Sequence, residues 1–430
     1  MDQTEQSSLL NKPESPTLSH YSPNSKPFAL YSSLPYYSTA ILYCIIFTSS
    51  IYFSNIWFVV WIIFGLLPVL DFLIPEDWLN PTKQQEKDLE DRIAFKIPLY
   101  LTVMCDWLLF LYAIKRLYTA PQFDAIDWVG HVFAVSISSA INFMTAHELF
   151  HKQDFAGKFV GCVSMIKSFY MHFYIEHLYG HHRNVGTPKD PATSRFNESF
   201  YQFLPRTVIG TWKSAWNYEK RRLLEIESLS THWSPQNRML WFAASYAAMP
   251  VACYLYGGIT GLLVLFISGT VSFIYLEGIN YIEHYGLERK QIGVDLWEKV
   301  DIRHSWNAPH RMTNYFLFKL QRHSDHHENS YKPYQTLCSY DQSPQLPNGY
   351  ALCVMVIFYP KLWFSVMNPI VDYYKKGIKP DPKVLSQGKK AMWNYTFFMF
   401  GFFGLMTFIQ FTRVSNLPFN LTNLRAMLNQ

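Results

Sequence analysis

The chain has 430 residues, enough for two or three ordinary soluble domains, so its length alone excludes little. It is 49% hydrophobic and 18% aromatic, and its 16% of charged residues is well below the roughly 25% typical of soluble domains. The net charge of +5 is small, and no basic run alternates with aromatic residues, which argues against nucleic acid as a partner.

The N-terminal residues 1–36 are rich in Ser, Pro, Asn and Gln and have no apolar stretch at their start. This composition predicts a disordered N-terminal tail and not a secretory signal. The six cysteines are scattered and form no CxxC pair. The cysteines therefore indicate neither a disulfide framework nor a zinc or iron–sulfur site.

Six apolar stretches follow that are long enough to cross a bilayer, and they predict an all-α membrane bundle. They are residues 37–54, 56–74, 97–118, 127–146, 239–256 and 258–279. If the N-terminus is cytosolic, the non-cytosolic connections carry only Lys115 and Arg116 of the 37 basic residues, as the positive-inside bias requires. The long segments 147–238 and 280–350 are then predicted to form a helical cap on the cytosolic side.

In the last part of the chain the apolar pattern no longer distinguishes a membrane span from an interfacial helix. Residues 350–367 are apolar but contain Lys361, so we expect a packed or interfacial helix, and the predicted membrane domain ends near residue 370. Residues 371–430 are a C-terminal extension whose apolar helix, 392–411, is long enough to span the membrane or to lie in its interface. Asn420 begins a glycosylation sequon, and modification there would place the C-terminus in the lumen.

Nine of the fifteen histidines fall into four tight groups. His147 and His151 stand in HELFHK, where their i, i+4 spacing places both imidazoles on one face of a helix. The other three groups are His177, His181 and His182 in EHLYGHH, His284 in NYIEHYGL, and His323, His326 and His327 in LQRHSDHH. Each of the four groups is predicted to lie at the cytosolic edge of the bundle.

These groups predict a metal site. Nine buried imidazoles without a metal would leave unpaired nitrogens, at about 1–3 kcal/mol for each group. Nine ligands exceed the four of tetrahedral zinc and suffice for two ions of higher coordination, although imidazole alone suits iron, copper, nickel and zinc.

Two other classes of protein remain open at this point. HELFH is an HExxH motif, so a membrane zinc protease with Glu148 as general base is one alternative, although it leaves at least six clustered histidines unused. A metal carrier without catalytic activity is the other.

Carboxylates accompany the histidines, and metal-bound imidazoles commonly donate their outer N–H to such a group. The candidates for this role are Glu148, Glu176, Glu283, Asp325 and Asp190. His304, in RHSWN, is a further candidate to support a ligand or an electron donor, whereas His131 is predicted to point away from the metal and His172 to face elsewhere.

The order HExxHK, EHxxGHH, NYIEHYGL and LQRHSDHH resembles the integral-membrane alkane 1-monooxygenase family. The likeness extends to HRNVGTPKDPATSR (182–195), TWKSAWNYEKRRL (211–223) and RHSWN (303–307), and covers roughly residues 40–370. Glu328 departs from the family, which usually has Ala after DHH.

The resemblance implies a non-haem di-iron centre held by the nine histidines, with two iron ions as the cofactor. It implies a monooxygenase that uses O2 to hydroxylate the terminal carbon of medium- or long-chain alkanes that enter from membrane lipid. It also implies electrons from a separate rubredoxin-like donor with its reductase. Desaturation or hydroxylation of fatty acids and other lipids is the nearest alternative chemistry.

A hydrocarbon has no polar handle, so the shape of the channel must select it, with each methylene contributing about 0.8 kcal/mol. Trp57, Trp61 and Phe64 on the second predicted span are candidates to set the depth of that channel. The predicted location is an integral, multi-pass membrane protein with its site on the cytosolic side. The membrane would be the endoplasmic reticulum in a eukaryote or the inner membrane in a bacterium.

Overall fold

A computed structural model describes residues 33–53, 58–119 and 125–414 of the chain. These ranges are mostly helical, as predicted, and their one sheet is a short antiparallel hairpin of Gln291–Gly293 and Leu296–Trp297. The hairpin lies in a segment for which no strand was predicted. Trp57 and Asn420, together with most of the N-terminal tail, lie outside the described residues.

The helices follow one another along the chain in short and long pieces. The α-helices are Ser38–Phe53, Phe58–Trp61, Leu67–Leu73, Lys83–Glu90, Ile93–Thr119, Ala125–His151, Phe155–Met165, Phe173–Ile175, His182–Asn184, Phe200–Arg221, Arg238–His284, Arg311–Phe316, His323–Glu328, Tyr350–Val356, Pro360–Lys375 and Pro382–Val414. The π-helices are Ile62–Leu66, Glu176–His181 and Arg222–Ile226, and the 3₁₀ turns are Leu34–Tyr37, Ile166–Ser168 and Tyr334–Thr336.

Four helices in the described ranges are long and apolar enough to cross a membrane: Leu34–Ile51, Ile93–Thr119, Trp128–His151 and Arg238–His284. They contain five of the six stretches predicted as spans. The remaining stretch, 56–74, is helical in shorter pieces and includes the apolar segment Ile62–Leu73.

The helix Arg238–His284 is two helices joined by a tight reversal. Gly257 and Gly258 have non-helical backbone angles, and the φ of +55° at Gly258 is a conformation that glycine adopts without strain. In a straight helix Cys253 and Gly261 would lie about 12 Å apart along the axis. A Cβ atom on Gly261 would instead collide with the carbonyl oxygen of Cys253, so the chain turns back at the predicted glycine pair.

The segments between and after these helices form a packed layer that carries six of the nine histidines, while His147, His151 and His284 lie at the ends of two of the helices. Arg322, whose side chain is fully buried, donates hydrogen bonds to the carbonyl oxygens of Asp77, Leu79 and Leu337 and to the side chains of Asp77 and Asn80. This guanidinium fixes the start of the helix His323–Glu328 against the loop that precedes the helix Lys83–Glu90.

The C-terminal elements pack onto the same layer. Tyr350–Val356 is buried throughout, and Pro360–Lys375 buries Trp363 and Met367, in agreement with the expected packed helix. The last helix, Pro382–Val414, is longer than the predicted 392–411. Its Phe400 ring lies 6.0 Å from the ring of Trp61.

Candidate metal centre

All nine predicted histidines converge, and they do so as two adjacent groups. In each group the candidate ligand atoms lie within 4.8 Å of one another. The five-histidine group contains His147, His151, His177, His182 and His326, and the four-histidine group contains His181, His284, His323 and His327. Each group draws on three separate stretches of the chain, so only the folded protein forms either one.

The spacing of the ring nitrogens matches that of ligands sharing an ion. Two imidazole nitrogens about 2.1 Å from a metal, at angles near 90–100°, lie about 3.0–3.2 Å from each other. The Nε2 atoms of His177 and His182 are 3.0 Å apart, and those of His182 and His326 are 3.2 Å apart. In the other group, His323 Nε2 lies 3.2 Å from His284 Nε2 and 3.0 Å from His327 Nε2.

A π-helix decides how the middle histidines are divided. Glu176–His181 is a π-helix, in which residues five apart stand in line, in place of residues four apart. His177 therefore pairs with His182 in one group, while His181 faces the other. The i, i+4 rule would have paired His177 with His181, so the sequence spacing alone gives the wrong partner.

The surroundings favour neutral imidazoles with free lone pairs. Burial, followed by the proximity of the other imidazoles, lowers the pKa of His177, His182 and His326 well below the usual value. Nε2 of His147 and of His181 is buried without a hydrogen-bond partner. A coordinated cation would satisfy these nitrogens, since a metal ligand must be deprotonated. The donor set therefore fits two metal ions.

Two ligands are oriented by hydrogen bonds from their outer nitrogens. His181 Nδ1 lies 2.8 Å from Asp190 Oδ2, and His284 Nδ1 lies 3.2 Å from the carbonyl oxygen of His304. An N–H donated outward leaves the Nε2 lone pair facing the metal group. His304 supports a ligand through its backbone, while its ring contacts Glu298.

Asp190 is the predicted carboxylate with the most complete set of partners. It accepts hydrogen bonds from the Thr193 hydroxyl at 2.6 Å and the Ala192 amide at 3.0 Å, in addition to His181. Burial alone would raise the pKa of Asp190, but the interaction with His181, together with these donors, holds it below the usual range. The carboxylate thus stays ionised beside His181.

The other four predicted carboxylates differ in what they contact. Glu283 Oε2 lies 3.4 Å from His323 Nε2, so this carboxylate faces the four-histidine group. Glu148 instead accepts hydrogen bonds from Lys152 at 2.8 Å and from the Tyr334 amide at 3.3 Å.

Asp325 accepts hydrogen bonds from Asn329 at 2.7 Å, from the Cys338 amide at 2.7 Å and from Lys332 at 3.2 Å. Glu176 is buried beside Gly180, and burial, followed by the charges of Asp190 and Glu277, raises its pKa well above the usual value.

An apolar cavity of about 530 Å³ is lined by residues of several helices, and no histidine is among them. We call it the apolar cavity; its lining includes Ile63, Phe64, Ile137, Met144, Tyr275 and Leu317. Met144 and Leu317 also line a smaller space of about 230 Å³, the inner cavity, whose wall includes His147 and His326. Phe64 thus belongs to the wall, whereas Trp61 packs against Phe400 and is not among the lining residues.

A cationic groove, which the histidine pattern does not indicate, lies next to the end of the His177–His182 segment. Its volume is about 1750 Å³, and one acidic side chain, Asp295, lines it. The seven basic side chains that line it are Arg183, Lys189, Arg195, Arg206, Lys213, Arg221 and Arg289. Arg183 directly follows His182, so the groove begins within one residue of a candidate ligand.

The model of the fatty acid desaturase family matches residues 126–355. Alkane 1-monooxygenase 2 of Pseudomonas aeruginosa is 34% identical over 75% of this chain and 85% of its own length. Alkane 1-monooxygenase of Acinetobacter baylyi is 36% identical over 73% of this chain and 76% of its own. The hydroxylase component of xylene/toluene monooxygenase from Pseudomonas putida is more distant, at 24% identity over 80% of this chain.

The alignments with relatives above 30% identity span most of this chain and most of each relative. The histidine groups on which the resemblance rests also lie together in the structure. The chain belongs to the alkane 1-monooxygenase family.

Proposed function

We propose that the protein is a membrane-bound di-iron monooxygenase that inserts one atom of O2 into the terminal C–H bond of medium- or long-chain alkanes, yielding primary alcohols. The observation that carries this proposal is an apolar cavity that shares Met144 and Leu317 with the inner cavity, whose wall includes His147 and His326, in a chain whose relatives are named alkane 1-monooxygenases. Two iron ions held by the nine histidines would supply the activation of O2.

The protein's own part in the reaction is to bind and orient a molecule that has no polar group. The lining of the apolar cavity is mostly apolar, and each methylene buried against it contributes about 0.8 kcal/mol. Met144 and Leu317 connect this cavity with the inner cavity. A linear chain lying in the apolar cavity would therefore direct its terminal methyl toward His147 and His326.

We further propose that the hydroxylase unit, residues 37–370, spans the membrane six times with its metal centre on the cytosolic side. The reversal at Gly257 and Gly258 supports two spans within Arg238–His284. The basic residues of the cationic groove support a cytosolic placement through the positive-inside bias. The endoplasmic reticulum or a bacterial inner membrane would be its location.

Electrons would come from a separate rubredoxin-like carrier with its reductase. Three of the seven basic side chains in the cationic groove are paired with carboxylates, namely Lys189, Arg206 and Arg221. The excess of basic side chains that remains suits an acidic partner, since complementary charge raises the rate of association. Reversing the charge of Lys213 or Arg221 should raise the KM for the donor and weaken its salt dependence, whereas Lys87→Glu, on the distant helix Lys83–Glu90, serves as the control. An unchanged KM would remove the groove from donor binding.

One experiment tests the proposal as a whole. The protein is purified in nanodiscs, its metal is measured by mass spectrometry, and it is given hexadecane, ¹⁸O2 and a reductase system. Iron with ¹⁸O-labelled 1-hexadecanol supports the proposal, while an alkene without alcohol would favour desaturation. Zinc with peptide cleavage would favour the protease, and bound metal without turnover would favour a carrier. Any of these three results would overturn the proposal.

A further inference from the structure

The hairpin of Gln291–Gly293 and Leu296–Trp297 forms part of the wall of the cationic groove. Asp295 in its turn and Trp297 in its second strand both line the groove. The hairpin is short and exposed, and Val294 at its turn is 100% exposed. An isolated ribbon of two strands is only marginally stable in water. The position of this hairpin therefore depends on its contacts with the rest of the protein.

Arg289, which also lines the groove, fixes the base of the hairpin to the segment that follows His182. Its Nη1 donates a hydrogen bond to the carbonyl oxygen of Arg183 at 3.0 Å, and its backbone amide donates one to the carbonyl oxygen of Gly186 at 2.7 Å. Its Nε donates to the carbonyl oxygen of Glu298 at 2.6 Å, just beyond the second strand. The base of the hairpin is thus held directly against a segment that carries metal ligands.

Glu298 connects the hairpin to the four-histidine group. Its Oε1 accepts a hydrogen bond from the Lys290 amide at 2.9 Å and lies 3.1 Å from Nε2 of His304. His304 Nδ1 accepts a hydrogen bond from the Asp301 amide at 3.0 Å, which in the neutral ring leaves the proton on Nε2, facing Glu298. The carbonyl oxygen of His304 lies 3.2 Å from Nδ1 of His284. One side chain and one backbone carbonyl therefore link the hairpin to a candidate metal ligand.

An ion pair holds the turn of the hairpin from the other side of the groove. Lys189 Nζ contacts the carboxylate of Asp295 and lies 5.1 Å from the centre of the Trp297 ring. The two charged side chains are 45% and 67% exposed, and exposed ion pairs of this kind are weak. Asp295 therefore occupies a lysine of the groove in the way that a carboxylate of an acidic partner would.

We propose that an acidic electron carrier docks in the cationic groove by displacing Asp295 from Lys189. The hairpin, released at its turn, then acts through Glu298 and His304 on the orientation of His284. This inference rests on the proposed function and specifies how the electron donor is bound and what its binding does to the metal centre.

The consequence is a coupling between two binding sites. The hydrogen bond to the outer nitrogen of an imidazole ligand orients the ring and affects how well it binds a metal. A carrier that changes this hydrogen bond at His284 therefore changes the affinity of the protein for its metal. Such coupling is reciprocal, so the metal must change the affinity for the carrier by the same factor.

The test measures the affinity of a redox-inert carrier for the protein with and without metal. The carrier is a rubredoxin in which gallium replaces iron, so that it binds but transfers no electron. It is titrated by calorimetry into iron-loaded and metal-free protein in nanodiscs. The Kd values of the two forms should differ by at least about 5-fold, the lower end of the range for coupled sites. Glu298→Ala should make the two Kd values equal, and Glu298→Gln, which keeps an acceptor oxygen for His304, should restore the difference.

Two variants of the groove separate docking from coupling. Asp295→Asn removes the competing carboxylate and should lower the Kd of both forms about 2- to 5-fold, as expected for the loss of one exposed ion pair. Lys213→Met is the matched control, because Lys213 lines the groove from the helix Phe200–Arg221 and not from the hairpin. It should raise the Kd of both forms and leave their ratio unchanged.

The outcomes distinguish the inference from the function on which it rests. Equal Kd values for the iron-loaded and metal-free native protein would overturn the inference, as would an unchanged Kd in Asp295→Asn or no binding of the gallium carrier at all. Hydroxylation of hexadecane with an iron rubredoxin and its reductase would still establish the monooxygenase in each of these cases. A Kd that depends on both the metal and Glu298, without any hydroxylation, would support the coupling and overturn the function.

Discussion

The ion pair between Lys167 and Asp106 offers a sharp test of how the metal-binding segment is held. Both side chains are buried, with exposed fractions of 1% and 0%, and Asp106 lies within the helix Ile93–Thr119. Asp106 also accepts hydrogen bonds from Ser139 at 3.0 Å and Asn142 at 2.7 Å. Lys167 is therefore the point at which the segment between two groups of histidines is fixed to the apolar helices.

The magnitude of the effect follows from burial. Removing one partner of a buried ion pair typically destabilises a protein by about 3–5 kcal/mol, because the other charge remains uncompensated. Lys167→Met should fall near the lower end of this range, since Ser139 and Asn142 still donate to Asp106. Ser139 precedes His147 by eight residues, about 12 Å along a helix. Loss of the Lys167 ammonium therefore also weakens the packing of the helix that carries His147.

The assay is denaturant unfolding of the purified protein in a mild detergent. Lys167→Met should lose about 3 kcal/mol, and the double variant Lys167→Met/Asp106→Asn should regain much of it, since no charge then remains buried. The control is Lys96→Met, because the Lys96–Asp91 pair is long, at 3.9 Å, and Asp91 is 98% exposed. Such a pair is worth about 0–1 kcal/mol. If Lys167→Met were no more destabilised than Lys96→Met, the anchoring role would be refuted.

Three further predictions concern the centre and its surroundings. Burial lowers the pKa of His172 to about 3, so the unfolded chain binds a proton below about pH 6.5 that the folded chain does not. On going from pH 7.5 to pH 5, the native protein should therefore lose about 2 kcal/mol of unfolding free energy relative to His172→Phe. Unfolding titrations at the two pH values measure this loss, and an equal difference between the two proteins at both pH values would contradict it. Asp190→Asn should weaken metal affinity about 10- to 100-fold in chelator competition, because Asp190 orients His181, and unchanged affinity would remove it from that role. Phe64→Ala should extend the accepted alkane length in product profiles, and Trp61→Ser should not; the reverse pattern would place the wall of the apolar cavity at Trp61.

The helices and the set of histidines were predictable because their signals are local. Apolar length gave Ile93–Thr119 and Ala125–His151 to within a few residues, and the glycine pair gave the reversal inside Arg238–His284. Local spacing also placed His147 and His151 together, because an ordinary helix carries them. Such predictions need only the chain's own periodicity.

The division of the histidines was not predictable, because it depends on one turn of π-helix. Nothing in EHLYGHH distinguishes the spacing of four from the spacing of five, yet the choice moves His181 from one group to the other. The hydrogen-bond partners of the outer ring nitrogens were equally hard to predict from the sequence. Asp190 was one of five candidates and, unlike the other four, it does not adjoin a histidine in the sequence. The carbonyl oxygen of His304 became a partner of His284 through a contact across 20 residues.

The two histidine groups are interleaved along the chain, which argues that they form together. His181 stands between His177 and His182 in sequence but belongs to the other group, and His326 stands in the same way between His323 and His327. A shift of either segment that opens one group must therefore displace ligands of the other. Since the binding of metal to such a site contributes free energy to folding, each ion would stabilise the backbone that the other requires. Arg322 and Lys167 hold these segments through contacts that lie outside both groups. These contacts keep the histidines in place before any metal is bound.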